Sequence, residues 1–318
     1  MMSVRNPEIR WRLSMSATRQ QFGGDWTAEK LERVRKYLVA YAKIMSAQRE
    51  KKRGFRFAYI DAFAGTGYNT HKQTNDDFAP FFEGARASDS QRFIDGSARI
   101  ALKVEPRFDR YIFIEHNASR FAELTKLKEE FAELHDRIQL VNADANTYLN
   151  DLCLNRNWRS HRAVLFLDPF GMQVTWNTIA SIAKTKAIDL WLLFPLGTGA
   201  NRLLKRDGKI PASWRARLDA TFGSSDWYDA FYQKVEYYSL WGEGTVTETH
   251  KQASFNTISE YFLKRLGTVF PHVAKHPLPL FNSANCPLYL LCFAAGNPGN
   301  GGKTGLKIAQ DILKRELL

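Results

Sequence analysis

The sequence predicts an α/β fold built on a doubly wound, mostly parallel sheet, and three observations carry that expectation. Five short apolar runs, 55–62, 110–115, 138–143, 163–168 and 188–194, read as buried strands. The stretches between them, near 97–104, 117–134 and 175–185, have helical spacing and serve as crossovers, so the strands run parallel with both sheet faces covered. Near the C-terminus, 272–281 and 287–296 are separated by only a short polar turn and read as an antiparallel pair. Right-handed crossovers then give a seven-stranded sheet, six strands parallel, with 288–294 the antiparallel strand lying between two others.

The elements follow in order. Residues 1–24 lack periodicity and read as a basic, flexible arm. From Asp25 or Thr27, either able to cap a helix, Leu31, Val34, Leu38, Tyr41 and Met45 recur at helical spacing, and "REKKRG" ends the run. The domain proper is expected over 25–318, with two insertions. One, 69–95, is long and polar. The other, 196–262, is aromatic and basic and reads as helical. Insertions at strand ends commonly form lids or substrate surfaces. An amphipathic helix over 304–316 finishes the chain. The preceding "GNPGNGGKTG" is not a phosphate loop, because Asn297 stands where that spacing needs glycine; it reads as a flexible turn.

The chain carries a net charge of +12, unevenly spread. Residues 1–60 hold 14 Lys/Arg against 5 Asp/Glu, a local +9, and Arg202, Lys205, Arg206, Lys209, Arg215 and Arg217 form a second cluster. Such patches attract polyanions, RNA or DNA, through counterion release; read blandly, they are a solvated helix face and a basic end. The three cysteines, Cys153, Cys286 and Cys292, form no C-x-x-C pair, so no zinc or cluster signature is present and no metal is expected. No apolar run approaches the ~18 residues of a membrane span, and no signal-peptide pattern occurs, so a cytoplasmic protein without membrane contact is expected.

The chemistry concentrates at the strand ends, where open α/β sheets bind ligands. "YIDAFAGTGYNT" follows the first strand and contains Asp61, Phe63, Gly65 and Gly67 as D-x-F-x-G-x-G. Glycine there lets the backbone turn sharply and approach a ligand. The second strand ends in Glu115, the third in Asp144 with Asn146 close behind, and the fourth in Asp168, Pro169, Phe170 and Gly171. Taken singly, Asp61 reads as a turn residue, Asp144 as a helix N-cap and Asp168-Pro169 as a plain turn. Together, four acids at four successive strand ends describe a pocket. Glu115 suits ribose hydroxyls, Asp144 an exocyclic amine, and Asp61 an ammonium beside a sulfonium. Acids so placed would repel a pyrophosphate, and the glycine pattern fails G-x-G-x-x-G, which favours S-adenosylmethionine over NAD.

D-A-F-A-G-T-G, F-I-E, N-A-D-A-N, L-F-L-D-P-F-G and D-L-W-L-L-F-P, with "KLERVRKYLVAY" before them and "PLYLLCFAAG" after, resemble the three-Cys-motif partner proteins. The likeness runs from about Trp26 to the C-terminus. It implies a class I methyltransferase-like fold, an S-adenosylmethionine pocket and a partner protein bearing a radical-SAM-like three-cysteine motif. By position, the Gly65–Gly67 turn would pass under the methionine moiety, Asp61 would meet its ammonium, Glu115 the ribose, and Asp144 with Asn146 the adenine edge. Asp168-Pro169-Phe170 would occupy the place of the D/N-P-P-Y/F motif of amino-methyltransferases, with Phe170 for its second proline and Gly171 for its aromatic.

Three functions follow as expectations. One is methyl transfer to a nucleic-acid or nucleotide-like acceptor, with Asp168 orienting it and Arg202, Lys205, Arg206 and Arg215 binding it. Another is a non-catalytic scaffold that binds cofactor or nucleic acid for its partner. The last, a metal-dependent nuclease or phosphotransferase using Asp61, Asp144 and Asp168, lacks supporting metal-ligand spacing.

Overall fold

The computed structural model describes residues 26–66, 96–238, 245–282 and 284–314. The basic arm, the 69–95 insertion and Gly67 therefore lie outside the described residues. Helix α1 (Trp26–Lys51) precedes the first strand, and its apolar stripe of Leu31, Val34, Tyr37, Leu38 and Tyr41 is buried. The strands are β1 (Arg56–Asp61), β2 (Arg110–Ile114), β3 (Ile138–Val141), β4 (His161–Leu167), β5 (Ile188–Phe194), β6 (Tyr232–Tyr238), β7 (Thr245–Lys251), β8 (His272–Val273), β9 (Leu278–Phe281) and β10 (Pro287–Ala295). The helices after α1 are α2 (Ser97–Leu102), α3 (Ala118–Thr125), α4 (Leu127–Glu130), α5 (Ala145–Asn155), α6 (Trp176–Lys184), α7 (Asn201–Leu203), α8 (Ala212–Phe222), α9 (Trp227–Phe231), α10 (Phe255–Val269) and α11 (Asn300–Lys314).

The main sheet has the order β3-β2-β1-β4-β5-β10-β8, with β9 also paired to β10. The first five strands are mutually parallel, and β10 runs antiparallel to β5, β8 and β9. This is the expected doubly wound sheet with its one reversed strand between neighbours. The outermost strand is broken into β8 and β9, where Pro277 and Pro279 lack the N–H that a continuous ladder requires.

Alternation along each strand divides the core between the two faces. Phe57, Tyr59, Phe166, Trp191 and Phe293 face the layer containing α1, α2 and α11. Ile60, Leu165, Leu192, Phe194 and Cys292 face the layer containing α5, α6 and α10. Aromatic packing is dense on both sides: Trp191 lies 5.1 Å from Phe293, and Phe194 stacks on Phe262 at 3.9 Å.

Three local expectations need correction. The 117–134 helix is broken into α3, α4 and a 3₁₀ turn at Ala132–Arg137. The 196–262 insertion is not wholly helical, because β6 and β7 form a separate antiparallel ribbon inside it. The ribbon escaped notice because β6 is largely exposed beyond Tyr232, so no apolar alternation marks it. The glycine-rich turn expected before the last helix is largely inside it, since α11 begins at Asn300. Close packing explains the glycines: a Cβ on Gly302 would stand 1.9 Å from the Asn297 carbonyl, and one on Gly305 would meet Tyr37 Oη at 3.0 Å and Asp189 Oδ2 at 3.2 Å.

Beneath Gly305, Tyr37 Oη donates a 2.8 Å hydrogen bond to Asp189, tying α1 to β5. Burial pushes the Asp189 carboxyl up to about 7, with the Tyr37 bond and the Arg162 charge opposing. A carboxyl raised above its unfolded value of 3.8 is protonated in the fold, so its stabilising contribution is complete below that pH and is lost as pH rises through 7. Asp189→Asn keeps an oxygen for Tyr37 and removes the titration. Its stability relative to wild type should therefore rise from pH 5 to pH 8, by on the order of a few kcal/mol. Urea denaturation at the two pH values measures this, and an unchanged difference would contradict it.

Candidate functional site

The carboxyl edge of the parallel strands gathers Asp61, Phe63, Gly65, Glu115 and Asp168. Asp61 ends β1 and is fully buried. It accepts from Tyr59 Oη and from the Phe63 amide, both at 3.3 Å. Burial pushes its carboxyl up to about 7, the Asp168 charge adds to that, and bonds from Ser97, Phe63 and Tyr59 oppose it. A buried carboxyl in this state is set to gain from a cation placed beside it.

After Asp61 the chain turns. The Ala62 amide bonds the Phe166 carbonyl of β4, and the Ala64 amide bonds the Ile114 carbonyl of β2, so the turn is stitched to both neighbours. Phe63 packs against the core. Gly65 adopts φ +61, the left-handed region that favours glycine, and the space where a Cβ would point is open. Its amide donates to Glu115 Oε2 at 3.0 Å, while the Asn117 amide donates to Oε1 at 2.7 Å. Glu115 therefore couples the β1 turn to the loop after β2. Asn142 closes that loop, donating to the carbonyls of Glu115 and His116.

Asp168 follows β4 and is ion-paired, through Oδ2, with Lys30 of α1. Lys30 is 5% exposed and lies 5.1 Å from the Trp26 ring centroid; Trp26 in turn stacks on Tyr289 of β10 at 5.3 Å. Sequence reading missed Lys30, although a signal was present: it shares a helical face with Val34, Tyr37 and Tyr41, a cation on an apolar stripe. Beyond Asp168 and Pro169, Phe170 is 59% exposed, with the Arg120 guanidinium 5.0 Å from its ring. Arg120 was also missed, since nothing local marks it. Gly171 has φ +77 and shapes this loop.

Asp144 and Asn146 do other work. Asp144 caps α5, accepting from the Thr147 amide at 2.9 Å and its hydroxyl at 3.0 Å. Asn146 clasps the start of α6: its amide donates to the Gln173 carbonyl, and its oxygen accepts from the Thr175 amide and the Thr178 hydroxyl. Asp144 caps through Oδ1, and Asn146 is engaged with the loop that joins β4 to α6. Among the described residues neither is hydrogen-bonded to Asp61, Gly65, Glu115 or Asp168.

Lys205 and Arg215 of the basic cluster lie against aromatic rings of the insertion. Lys205 sits 5.6 Å from Trp214, and Arg215 sits 4.7 Å from Tyr228. The Arg206 carbonyl accepts from the Lys251 amide, and the side chains of Arg202 and Arg206 are both exposed. These residues follow β5 on the insertion, beside the ribbon and its aromatic side chains. An open hollow lined by Tyr228, Tyr232, Lys234 and Thr249 also belongs to the insertion rather than to the strand edge. Among the described residues no group of His, Cys, Asp and Glu is arranged to hold a metal, and no helix is long and apolar enough to cross a membrane.

No protein-family model matches the sequence, and no characterised protein sequence matches it. Solved structures do align. A Legionella pneumophila protein is 14% identical, covering 78% of this chain and 93% of its own, with a TM-score of 0.40. An rRNA methylase from Streptococcus thermophilus is 9% identical over 69% of this chain and 95% of its own, with a TM-score of 0.29. An S-adenosylmethionine-dependent methyltransferase from Clostridium acetobutylicum is 8% identical over 85% and 92%, with a TM-score of 0.34. At these identities the likeness concerns the fold, and the fold itself rests on the strand order above.

The capping role of Asp144 predicts that Asp144→Ala lowers stability by about 1 kcal/mol, the usual worth of an N-cap. Thermal or urea denaturation measures the loss. A variant as stable as the wild type would contradict the capping role.

Proposed function

We propose that this chain binds S-adenosylmethionine at the carboxyl edge of β1 and β2 and transfers its methyl group to a nucleic-acid or nucleotide-like acceptor. One observation carries the reading. A left-handed glycine turn follows β1, its amide is held by the acid ending β2, and a fully buried acid lies at its root. Acids in this arrangement fit a ligand with cationic and hydroxyl groups and would repel a pyrophosphate.

In this reading Glu115 takes the ribose hydroxyls with its remaining lone pairs, and Gly65 leaves room for the methionine backbone. Asp61 faces the cationic end and becomes ionised there, since a nearby positive charge offsets the burial that raises it. The cofactor supplies an electrophilic methyl carbon on sulfur. Asp168 and the exposed Phe170 border the acceptor side. Methyl transfer needs little acid–base help, so holding acceptor and methyl group in line supplies most of the rate.

The resemblance to three-Cys-motif partner proteins supports a protein partner that carries the cysteine motif. This chain has Cys153 and Cys292 buried apart in the core and Cys286 exposed. A non-catalytic scaffold is the second reading, and the pairing of Asp168 with Lys30 favours it, because it occupies the acid that borders the acceptor. Arg202, Lys205 and Arg206 are proposed to hold a polyanion.

Glu115→Ala should weaken S-adenosylmethionine binding by about 1.5–3 kcal/mol, the worth of hydrogen bonds to a charged group. Titration calorimetry reads this directly, and a wild-type preference for NAD would overturn the cofactor assignment. For the polyanion, binding of RNA or DNA should fall steeply with salt. Neutralising Arg202, Lys205 and Arg206 together should flatten that slope by up to about one unit for each phosphate no longer neutralised, with S-adenosylmethionine affinity unchanged. Salt-independent binding, or none at low ionic strength, would leave a small molecule or a protein as the acceptor.

A further inference from the structure

Asp168 borders the proposed acceptor site, yet its Oδ2 is already taken by an ammonium from outside the sheet. The Lys30 side chain is 7% exposed and that of Asp168 22%, so the pair is mostly removed from water. Breaking a buried pair by withdrawing one partner is strongly unfavourable. Lys30 is also braced. Trp26 presents its ring to the ammonium at 5.1 Å and is itself stacked on Tyr289 at 5.3 Å. α1, β4 and β10 thus converge on one acid.

We propose that Lys30 is a specificity-determining residue of the acceptor subsite: it occupies the position at Asp168 where an acceptor amine would bind, and so suits the site to an oxygen nucleophile of the ribose-hydroxyl kind. This rests on the methyl-transfer reading above. A base's exocyclic amine can donate to Asp168 only through Oδ1, and its delocalised lone pair accepts poorly from the Lys30 ammonium it then meets. A hydroxyl is donor and acceptor at once. It can accept from the N–H groups of Lys30 not used on Asp168 and donate to Asp168 Oδ1, which accepts no hydrogen bond among the described residues. In the transfer the hydroxyl oxygen forms a bond to the methyl carbon as the carbon–sulfur bond breaks. Sulfur keeps that electron pair, giving the neutral thioether, and the hydroxyl proton passes to Asp168 and then to solvent.

Sinefungin tests this without a known acceptor, because it carries a primary amine where S-adenosylmethionine carries its methyl. Titration calorimetry compares it with S-adenosylhomocysteine, which has neither. In the wild type the amine meets Lys30, and sinefungin should bind no tighter than S-adenosylhomocysteine. In Lys30→Met, Asp168 is released, and sinefungin should gain about tenfold or more, since a like charge is replaced by a free opposite one. S-adenosylhomocysteine should change little in that variant, and Lys30→Arg should behave as the wild type. No gain in Lys30→Met overturns the proposal. Should that variant fail to fold, the wild type decides alone: a clear preference for sinefungin over S-adenosylhomocysteine overturns it. Failure of the wild type to bind S-adenosylmethionine at all would instead remove the methyl-transfer reading on which it rests. A methyl group found on a base nitrogen of RNA incubated with the protein and S-adenosylmethionine also overturns it.

Discussion

The Glu115 carboxylate holds the candidate site together. Its two oxygens receive the amides of Gly65 and Asn117, so the turn after β1 and the loop after β2 share one anchor. Backbone amides at such turns have no ladder partner and need one when buried. A carboxylate that satisfies two of them is an efficient solution and a rigid one. Each oxygen keeps a lone pair that these amides do not use.

Around that anchor the charge balance is unusual. Asp61 is fully buried with its carboxyl pushed up to about 7, and Asp168 contributes to the rise. Lys30 is the cation placed against Asp168. It comes from α1, which precedes the sheet in sequence and is tied to it again by Tyr37 and Asp189. α1 is therefore part of the site rather than an appendage. Its packing along β5 and β10 sets where the ammonium lands, and the Trp26–Tyr289 stack limits where it can go.

The insertion after β5 has a different character. Its cations lie over aromatic rings, Lys205 on Trp214 and Arg215 on Tyr228, which stabilises the local packing while leaving positive charge near the surface. The exposed ribbon of β6 and β7 projects from the same region. The basic cluster and the acids at the sheet edge thus lie on separate elements of one chain.

The sequence by itself determined the sheet, because buried strands must be apolar and crossovers must be helical, and both leave short-range patterns. The parallel strands, the reversed β10 and the acids at the ends of β1, β2 and β4 were legible on that basis. Asp144 was also legible, as an N-cap, although its place beside the other acids argued for more. Only the tertiary structure decided which polar groups meet. Asn146 turns to α6, a choice made by Thr175 and Thr178 about thirty residues downstream. The Lys30–Asp168 pair joins residues 138 positions apart. A periodicity can show that Lys30 lies on a buried stripe, but its partner depends on how α1 crosses the sheet, and that is set by long-range packing that no local pattern encodes.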